Sequence, residues 1–315
     1  MLKTVFFGTP QIAVPFLKVL AEMTEVKLVV TQPDRPKGRG LVLTPCPVKE
    51  FALKNNLPVA SPEKLKDFVP NIAALNADIG ICVAYGKIFR KPALDAFKQG
   101  IVNVHFSLLP KYRGASPVQS ALIAGETKTG ITLFSIDEGM DSGAIIDTKE
   151  TEILPQDNAV TLFEKLTNIA TVALKDFLIK AENQTYTKTP QSGTPTFAPL
   201  IAKEQTFISF GNQTAEQINN LVRALAAGAP SFAKANTPDG QIVQIIKTSL
   251  PPLQQNAKNY QAGALVSIER NVGFLVKCKE GVLSVETVRP AGKSLMPAFA
   301  YINGKKYKEG NIIFK

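Results

Sequence analysis

LKTVFFGTPQIAVPFLKVLAEMTEVKLVVT (residues 2–31) reads as a strand, a turn, a helix and a second strand in one short stretch. LKTVFF (2–7) is a compact run of aromatic, β-branched and aliphatic residues, the composition of a buried strand. Gly8, Thr9 and Pro10 end it, because proline fixes φ and has no N–H to offer a ladder. Between 11 and 22, Ile12, Phe16, Val19 and Leu20 share one helical face. Residues 26–31 return to strand composition. A strand that reaches the next strand through a helix is the unit from which parallel sheets are built.

The alternation continues outward. The sequence predicts helices at 48–55, 62–75 and 88–97 and strands at 57–60, 79–84 and 100–105. Two further strands, 129–136 and 143–153, flank a turn, and a long amphipathic helix at 161–181 closes an α/β domain with helices on both faces of its sheet. Residues 183–205, rich in Thr, Pro and Gln and without periodicity, read as a linker. Beyond them come a helix at about 214–227 and the short runs QIVQIIKTSL, GALVSIE, GFLVKC and GVLSVETVR, separated by Gly or Pro turns. That spacing suits a small barrel. The expected division is therefore 1–182, a linker at 183–205, and 206–315.

Composition bounds the function. The chain has 315 residues, 45% of them hydrophobic and 20% charged, enough apolar material for sizeable cores. Its three cysteines, Cys46, Cys82 and Cys278, are far apart and odd in number, so neither a disulfide framework nor a zinc knuckle is expected. The start, MLKTVFFGTP, has too short an apolar run for a signal peptide, and no stretch approaches a membrane span. A cytoplasmic protein that avoids membranes is the expectation. Net charge is +10, and residues 206–315 hold 13 Lys and Arg against 6 Asp and Glu, a net of +7. A basic domain beside a near-neutral one suits a polyanionic partner, nucleic acid first, although a solvated basic face would look the same.

The chemistry centres on one histidine. His105 stands in GIVNVHFSLLPKYRG (100–114), at the end of an expected strand, where open α/β sheets bind ligands. Asn103 lies two residues before it and so projects from the same face. An amide can stabilise an oxyanion and an imidazole can move a proton near neutral pH, a workable pair for acyl transfer. A lone histidine satisfied in a polar niche is the plain alternative. IDEGMDSGAII (136–146) sets Asp137 and Asp141 among glycines in a tight turn, which ordinary turn chemistry also explains. One histidine, scattered cysteines and no H-E-x-x-H leave no usual zinc set, so no metal is expected.

Taken together, N-x-H, SLLPKYRGASP and the later D-x-G-x-D-S-G-like turn resemble the 10-formyltetrahydrofolate-dependent formyltransferase family, and 107–133 is closely similar to it. The resemblance implies a Rossmann-like, mostly parallel α/β domain followed by a small C-terminal open β-barrel of OB-like type. It implies that Asn103, His105 and Asp141 are the catalytic set. It further implies that 10-formyltetrahydrofolate lies against Val83, Ala84, Tyr85 and Gly86 and against Ser107, Leu108, Leu109 and Pro110. The first turn, FGTP (7–10), resembles that of the formyltransferases acting on methionyl-tRNA, whereas relatives that bind a phosphorylated small amine carry a glycine-rich loop there. TQPDRPKGRG (31–40) is similar to the loop that those enzymes push into the acceptor stem, which implies tRNA contacts for Arg35, Lys37 and Arg39. The chain departs from that pattern at Leu41 and Val42, where lysines are common, and in lacking tryptophan around residues 223–232. The expected acceptor is the methionine amine of initiator methionyl-tRNA, the expected role translation initiation, and the expected state a monomer. A small amine such as an amino sugar is the alternative acceptor.

Overall fold

The computed structural model describes residues 1–37, 42–252, 257 and 259–315. The chain folds as two compact units, Met1–Pro117 with Lys128–Glu152 and Phe163–Pro199, and Val118–Thr127 with Ile153–Leu162 and Leu200–Lys315.

The first unit is built on seven paired strands. β1 (Lys3–Gly8) and β2 (Glu25–Val30) pair in parallel and are joined through a 3-10 turn, Gln11–Ala13, and α1 (Val14–Met23). The expected helix thus begins one turn late, with Pro15 in its first turn, where a missing N–H costs nothing. α1 buries Phe16, Leu17, Val19 and Leu20. β3 (Arg35–Lys37) and β4 (Val42–Thr44) form a small antiparallel ribbon inside the stretch read as a loop. α2 (Pro47–Lys54), β5 (Val59–Ala60), α3 (Leu65–Ala73) and β6 (Ile79–Val83) follow. β6, IGICV, is buried at every position, as a central parallel strand covered on both faces must be. α4 is only Lys91–Leu94, shorter than the expected helix at 88–97. β7 (Ile101–His105) pairs in parallel with β6 and antiparallel with β8 (Lys128–Ser135), which pairs with β9 (Ile145–Glu152). Along the chain, α5 (Pro117–Ile123) falls between β7 and β8 and belongs, from Val118 on, to the second unit, while α6 (Ala159–Glu182) follows β9 and belongs to the first unit from Phe163 on.

The strand order is β5-β2-β1-β6-β7-β8-β9. The chain moves outward from β1 through β2 to β5, then returns to β6 on the other side of β1. The carboxyl ends of β1 and β6, beside that reversal, are the usual place for a ligand in an open sheet.

The second unit contains α7 (Ala215–Ala224), β10 (Ala233–Asn236), β11 (Ile242–Ser249), β12 (Leu265–Glu269), β13 (Gly273–Lys277), β14 (Val282–Pro290), β15 (Met296–Pro297) and α8 (Ala298–Lys305). Its antiparallel sheet runs β10-β11-β14-β13-β12, with β15 on β14. α7 starts with a capping box: Thr214 Oγ1 accepts from Gln217 N at 3.2 Å, and Gln217 Oε1 accepts from Thr214 N at 2.9 Å. Phe210, Phe274 and Phe314 are buried at its core, with Phe210 and Phe314 stacked at 5.2 Å. Arg223, on α7, donates through Nε to the Asp157 carbonyl at 2.6 Å and through Nη2 to that of Leu154 at 3.1 Å.

Candidate active site

β7 delivers Asn103 and His105 to the carboxyl end of the sheet. Asn103 lies between Cys82 of β6 and Phe134 of β8, and His105 is opposite Thr132. Asn103 is partly buried, and its side-chain amide has no hydrogen-bond partner among the described residues. His105 is 5% exposed.

The histidine ring is fixed at Nε2, 2.9 Å from the carbonyl oxygen of Tyr112. A carbonyl only accepts, so Nε2 carries the hydrogen and the lone pair of the neutral ring lies at Nδ1. Nδ1 is 3.8 Å from Asp141 Oδ2. Two acceptors thus face one another across a gap too wide for a direct hydrogen bond. Once Nδ1 gains a proton, the same geometry is an ion pair. Burial pushes the His105 pKa below its ordinary value, against the Asp141 carboxylate and the Tyr112 carbonyl, which both favour the charged ring. The resting ring is therefore neutral near pH 7 and has a base at Nδ1.

Local backbone explains this placement. Tyr112 has φ +61° and Asp141 φ +48°, both left-handed. Asp141 Oδ2 accepts the Gly114 N–H at 2.7 Å. Gly114 has φ +120°, and a Cβ there would lie 2.7 Å from the Ala198 carbonyl oxygen. Only glycine brings that N–H to the carboxylate. Between His105 and Tyr112, Ser107 Oγ donates to Lys111 O at 2.6 Å, and Thr132 Oγ1 donates to Ser107 O at 2.7 Å while facing Leu109 N at 3.2 Å. Ser107, Leu108, Leu109 and Pro110 thus form a turn braced against β8.

Residues 83–86 divide by role. Val83 and Tyr85 are buried, the Tyr85 ring lying 5.5 Å from that of Phe7 and 5.8 Å from that of Phe89. Their side chains pack into the core, so any ligand contact from these two residues would come through the backbone. Ala84 and Gly86 are exposed, with φ +48° and +75°, at the carboxyl end of β6. Ile88, next to them, is 72% exposed. The Tyr85 carbonyl accepts from Gln32 Nε2 at 2.8 Å, and Gln32 Oε1 accepts from Arg35 Nη2 at 3.4 Å. Arg35 is thereby tied to the segment that follows β6. Lys37 is described only by its backbone pairing with Val42, and Arg39 lies outside the described residues. Among the described residues no group of three His, Cys, Asp or Glu side chains could hold a metal ion.

Sequence reading missed Tyr112 and Gly114, which act through the main chain, and Arg113, Gln191 and Thr196. The only signal for the first two is the glycine two residues after a tyrosine in a turn.

The N-terminal region, residues 2–178, matches the family described as Formyl transferase, and residues 200–306 match Formyl transferase, C-terminal domain. A methionyl-tRNA formyltransferase from Elusimicrobium minutum is 48% identical over 99% of this chain and 100% of its own. One from Thermodesulfovibrio yellowstonii is 43% identical over 97% of each. Among solved structures, an N-formyltransferase from Helicobacter canadensis, in complex with folinic acid and dTDP-3-aminofucose, matches with a TM-score of 0.64 at 21% identity, covering 90% of this chain and 99% of its own. HypX from Aquifex aeolicus in complex with tetrahydrofolic acid matches with a TM-score of 0.62 at 12% identity, over 99% of this chain and 50% of its own. These two likenesses speak for the fold.

Proposed function

The chain belongs to the formyl transferase family, and from that premise we propose that it transfers the formyl group of 10-formyltetrahydrofolate to the α-amino group of methionine on initiator methionyl-tRNA, for translation initiation. The observation that carries the chemistry is His105 Nδ1, 3.8 Å from the Asp141 carboxylate with Nε2 held by the Tyr112 carbonyl, and the Asn103 amide, unpartnered among the described residues, two residues away on the same strand. The full-length likeness to methionyl-tRNA formyltransferases carries the acceptor.

Exposed Ala84, Gly86 and Ile88 at the end of β6 offer main-chain polar groups and apolar surface suited to a flat heteroaromatic with polar edges, which supports a folate here. The folate supplies the formyl group. Attack by the methionine amine on the formyl carbon develops negative charge on its oxygen, toward which the Asn103 Nδ2–H donates. The nitrogen that attacks becomes cationic and loses a proton to His105 Nδ1, through water where the span requires it. Asp141 stabilises the imidazolium, and the proton then passes to the folate nitrogen as the C–N bond breaks. Because the Tyr112 carbonyl occupies the His105 N–H, the oxyanion falls to Asn103. No covalent enzyme intermediate is required.

Residues 1–182 carry the chemistry in this reading, 206–315 hold the tRNA backbone, and 183–205 join them. Arg35, Lys37 and Arg39 meet the acceptor stem. Lys277, Lys279, Lys293 and Lys306 have no ion pair among the described residues, whereas Lys247 is paired with Glu286 at 2.8 Å. No helix among the described residues is long and apolar enough to cross a membrane. We place the protein in the cytoplasm as a monomer.

The test is formyl transfer to methionyl-initiator tRNA beside methionyl-elongator tRNA, free methionine and a nucleotide-linked amino sugar. Transfer confined to the initiator supports the reading. Transfer to the amino sugar, with none to tRNA, overturns the acceptor and keeps the chemistry.

A further inference from the structure

Residues 189–198 have a polar composition and only isolated bridges, at Thr189 to Ile145 of β9 and at Phe197 to Arg113, yet the hydrogen bonds of Gln191, Thr196 and Ala198 run toward the candidate catalytic loops. Gln191 Nε2 donates to two carbonyl oxygens of the aspartate loop, those of Asp141 and Gly143, each at 2.8 Å. Gln191 Oε1 accepts from Arg113 through Nη2 at 2.7 Å and Nε at 3.2 Å. One amide therefore spans the loop that carries Asp141 and the loop that carries Tyr112 and Gly114. Further along, Thr196 Oγ1 accepts from Tyr112 N at 2.9 Å and Thr196 O from Arg113 N at 2.9 Å. Ala198 N donates to Arg113 O at 2.7 Å, and Ala198 O accepts from Ser116 N at 3.0 Å.

The network touches both fixed points of the candidate dyad. Asp141 must stand opposite His105 Nδ1, and Tyr112 must keep its carbonyl on Nε2. Each residue sits in a left-handed backbone conformation that costs free energy unless its surroundings enforce it. Gln191 supplies that enforcement from a segment distant in sequence. All of its polar atoms are used in doing so: two donated hydrogens and one oxygen shared by a guanidinium. Its chemistry is also direction-specific. Two carbonyl oxygens need two N–H donors, and Arg113 needs an acceptor, so neither a carboxylate nor an apolar side chain of the same length satisfies both sides.

We propose that Gln191, held by Arg113, is a positioning residue for formyl transfer: it fixes the Asp141 loop against the Tyr112–Gly114 loop and so sets the His105–Asp141 geometry. This rests on the role given to Asp141 under the proposed function. It predicts that Gln191 acts on turnover through Asp141 rather than on substrate binding.

The experiment is a double-mutant cycle on the full-length protein. Gln191→Glu keeps the acceptor for Arg113 and places a carboxylate against two carbonyls. Gln191→Met keeps length and removes all hydrogen bonding, and it is the variant read should the glutamate not fold. Folding is followed by circular dichroism and thermal unfolding, and formyl transfer by kcat and KM for each substrate. The expected result is a kcat loss of roughly 10- to 100-fold with KM for folate and tRNA within about twofold. In an Asp141→Asn background the same substitution changes kcat less than about threefold. A Gln191 variant with kcat within twofold of the parent overturns the proposal, as does an equal loss in both backgrounds, which marks a merely structural role. Asp141→Asn with near-parental kcat instead removes the underlying reading, so the two failures are separable.

Discussion

Replacing Asp141 by asparagine tests how much of catalysis rests on one charge. The amide is nearly isosteric and its oxygen still accepts the Gly114 N–H, now 2.7 Å from Oδ2, so the loop keeps its anchor. What disappears is the negative charge 3.8 Å from His105 Nδ1. At an effective dielectric of about 20, two unit charges at that distance attract by about 4 kcal/mol. Side-chain exposures of 6% for His105 and 20% for Asp141 keep solvent from screening most of this. The attraction exists only while the ring is protonated, which in the proposed sequence is after the amine has attacked. The loss therefore falls on the transition state and appears in kcat, by about 10³-fold at roughly 1.4 kcal/mol per tenfold. The carboxylate also raises the His105 pKa against burial, so its removal moves the acid limb of the rate profile to still lower pH. Single-turnover transfer from 10-formyltetrahydrofolate to methionyl-initiator tRNA between pH 5 and 9, with tRNA affinity measured in parallel, separates these effects. A loss below about tenfold, or an acid limb that moves upward, refutes the proton-acceptor role of Nδ1.

Asn103→Ala removes the proposed oxyanion donor and is expected to lower kcat by about 10²- to 10³-fold in the same assay, with folate affinity retained. Gly114→Ala forces a Cβ to 2.7 Å from the Ala198 carbonyl at φ +120°; a cost of about 1–3 kcal/mol is expected in thermal unfolding, with kcat falling alongside. His105 has a lowered folded pKa, so its unfolded form takes up a proton first: its contribution to stability is complete above the ordinary value near 6.5 and is lost as pH falls through the folded value. His105→Gln is expected to flatten the dependence of unfolding free energy on pH in that window. If Lys277, Lys279, Lys293 and Lys306 grip phosphates, log affinity for tRNA falls by about 0.7–0.9 per contact per decade of salt, and a flat response removes them from the interface.

Much of the fold is legible because its signals are side-chain patterns. The apolar runs at 2–7 and 79–84 and the helical stripe at 11–22 match β1, β6 and α1 to within a residue or two at most ends. Elements without such patterns escape. β10 is Ala-Lys-Ala-Asn, which has little strand propensity and is held by pairing with β11. α8 contains Tyr301, Ile302 and Gly304 and is packed by tertiary contacts rather than by amphipathic repeat. At the site, Asn103, His105 and Asp141 are visible as chemical types. Tyr112 acts through a carbonyl that every residue has, and Gly114 through an N–H. Gln191 and Thr196 lie in a polar stretch whose composition is that of a linker, since hydrogen bonds to backbone leave no periodicity. The Tyr85 ring completes the cluster with Phe7 and Phe89, a packing role that its position at a strand end does not announce.

The two units alternate along the chain, the second reclaiming residues 118–127 and 153–162 from the middle of the first. A single scission near residue 199 would therefore not separate them as modules: it would leave two pieces of one unit's interior stranded on the wrong fragment. Leu122 and Leu162, both 1% exposed or less, would go with them. Exchange of the basic unit between relatives by simple recombination is thereby penalised.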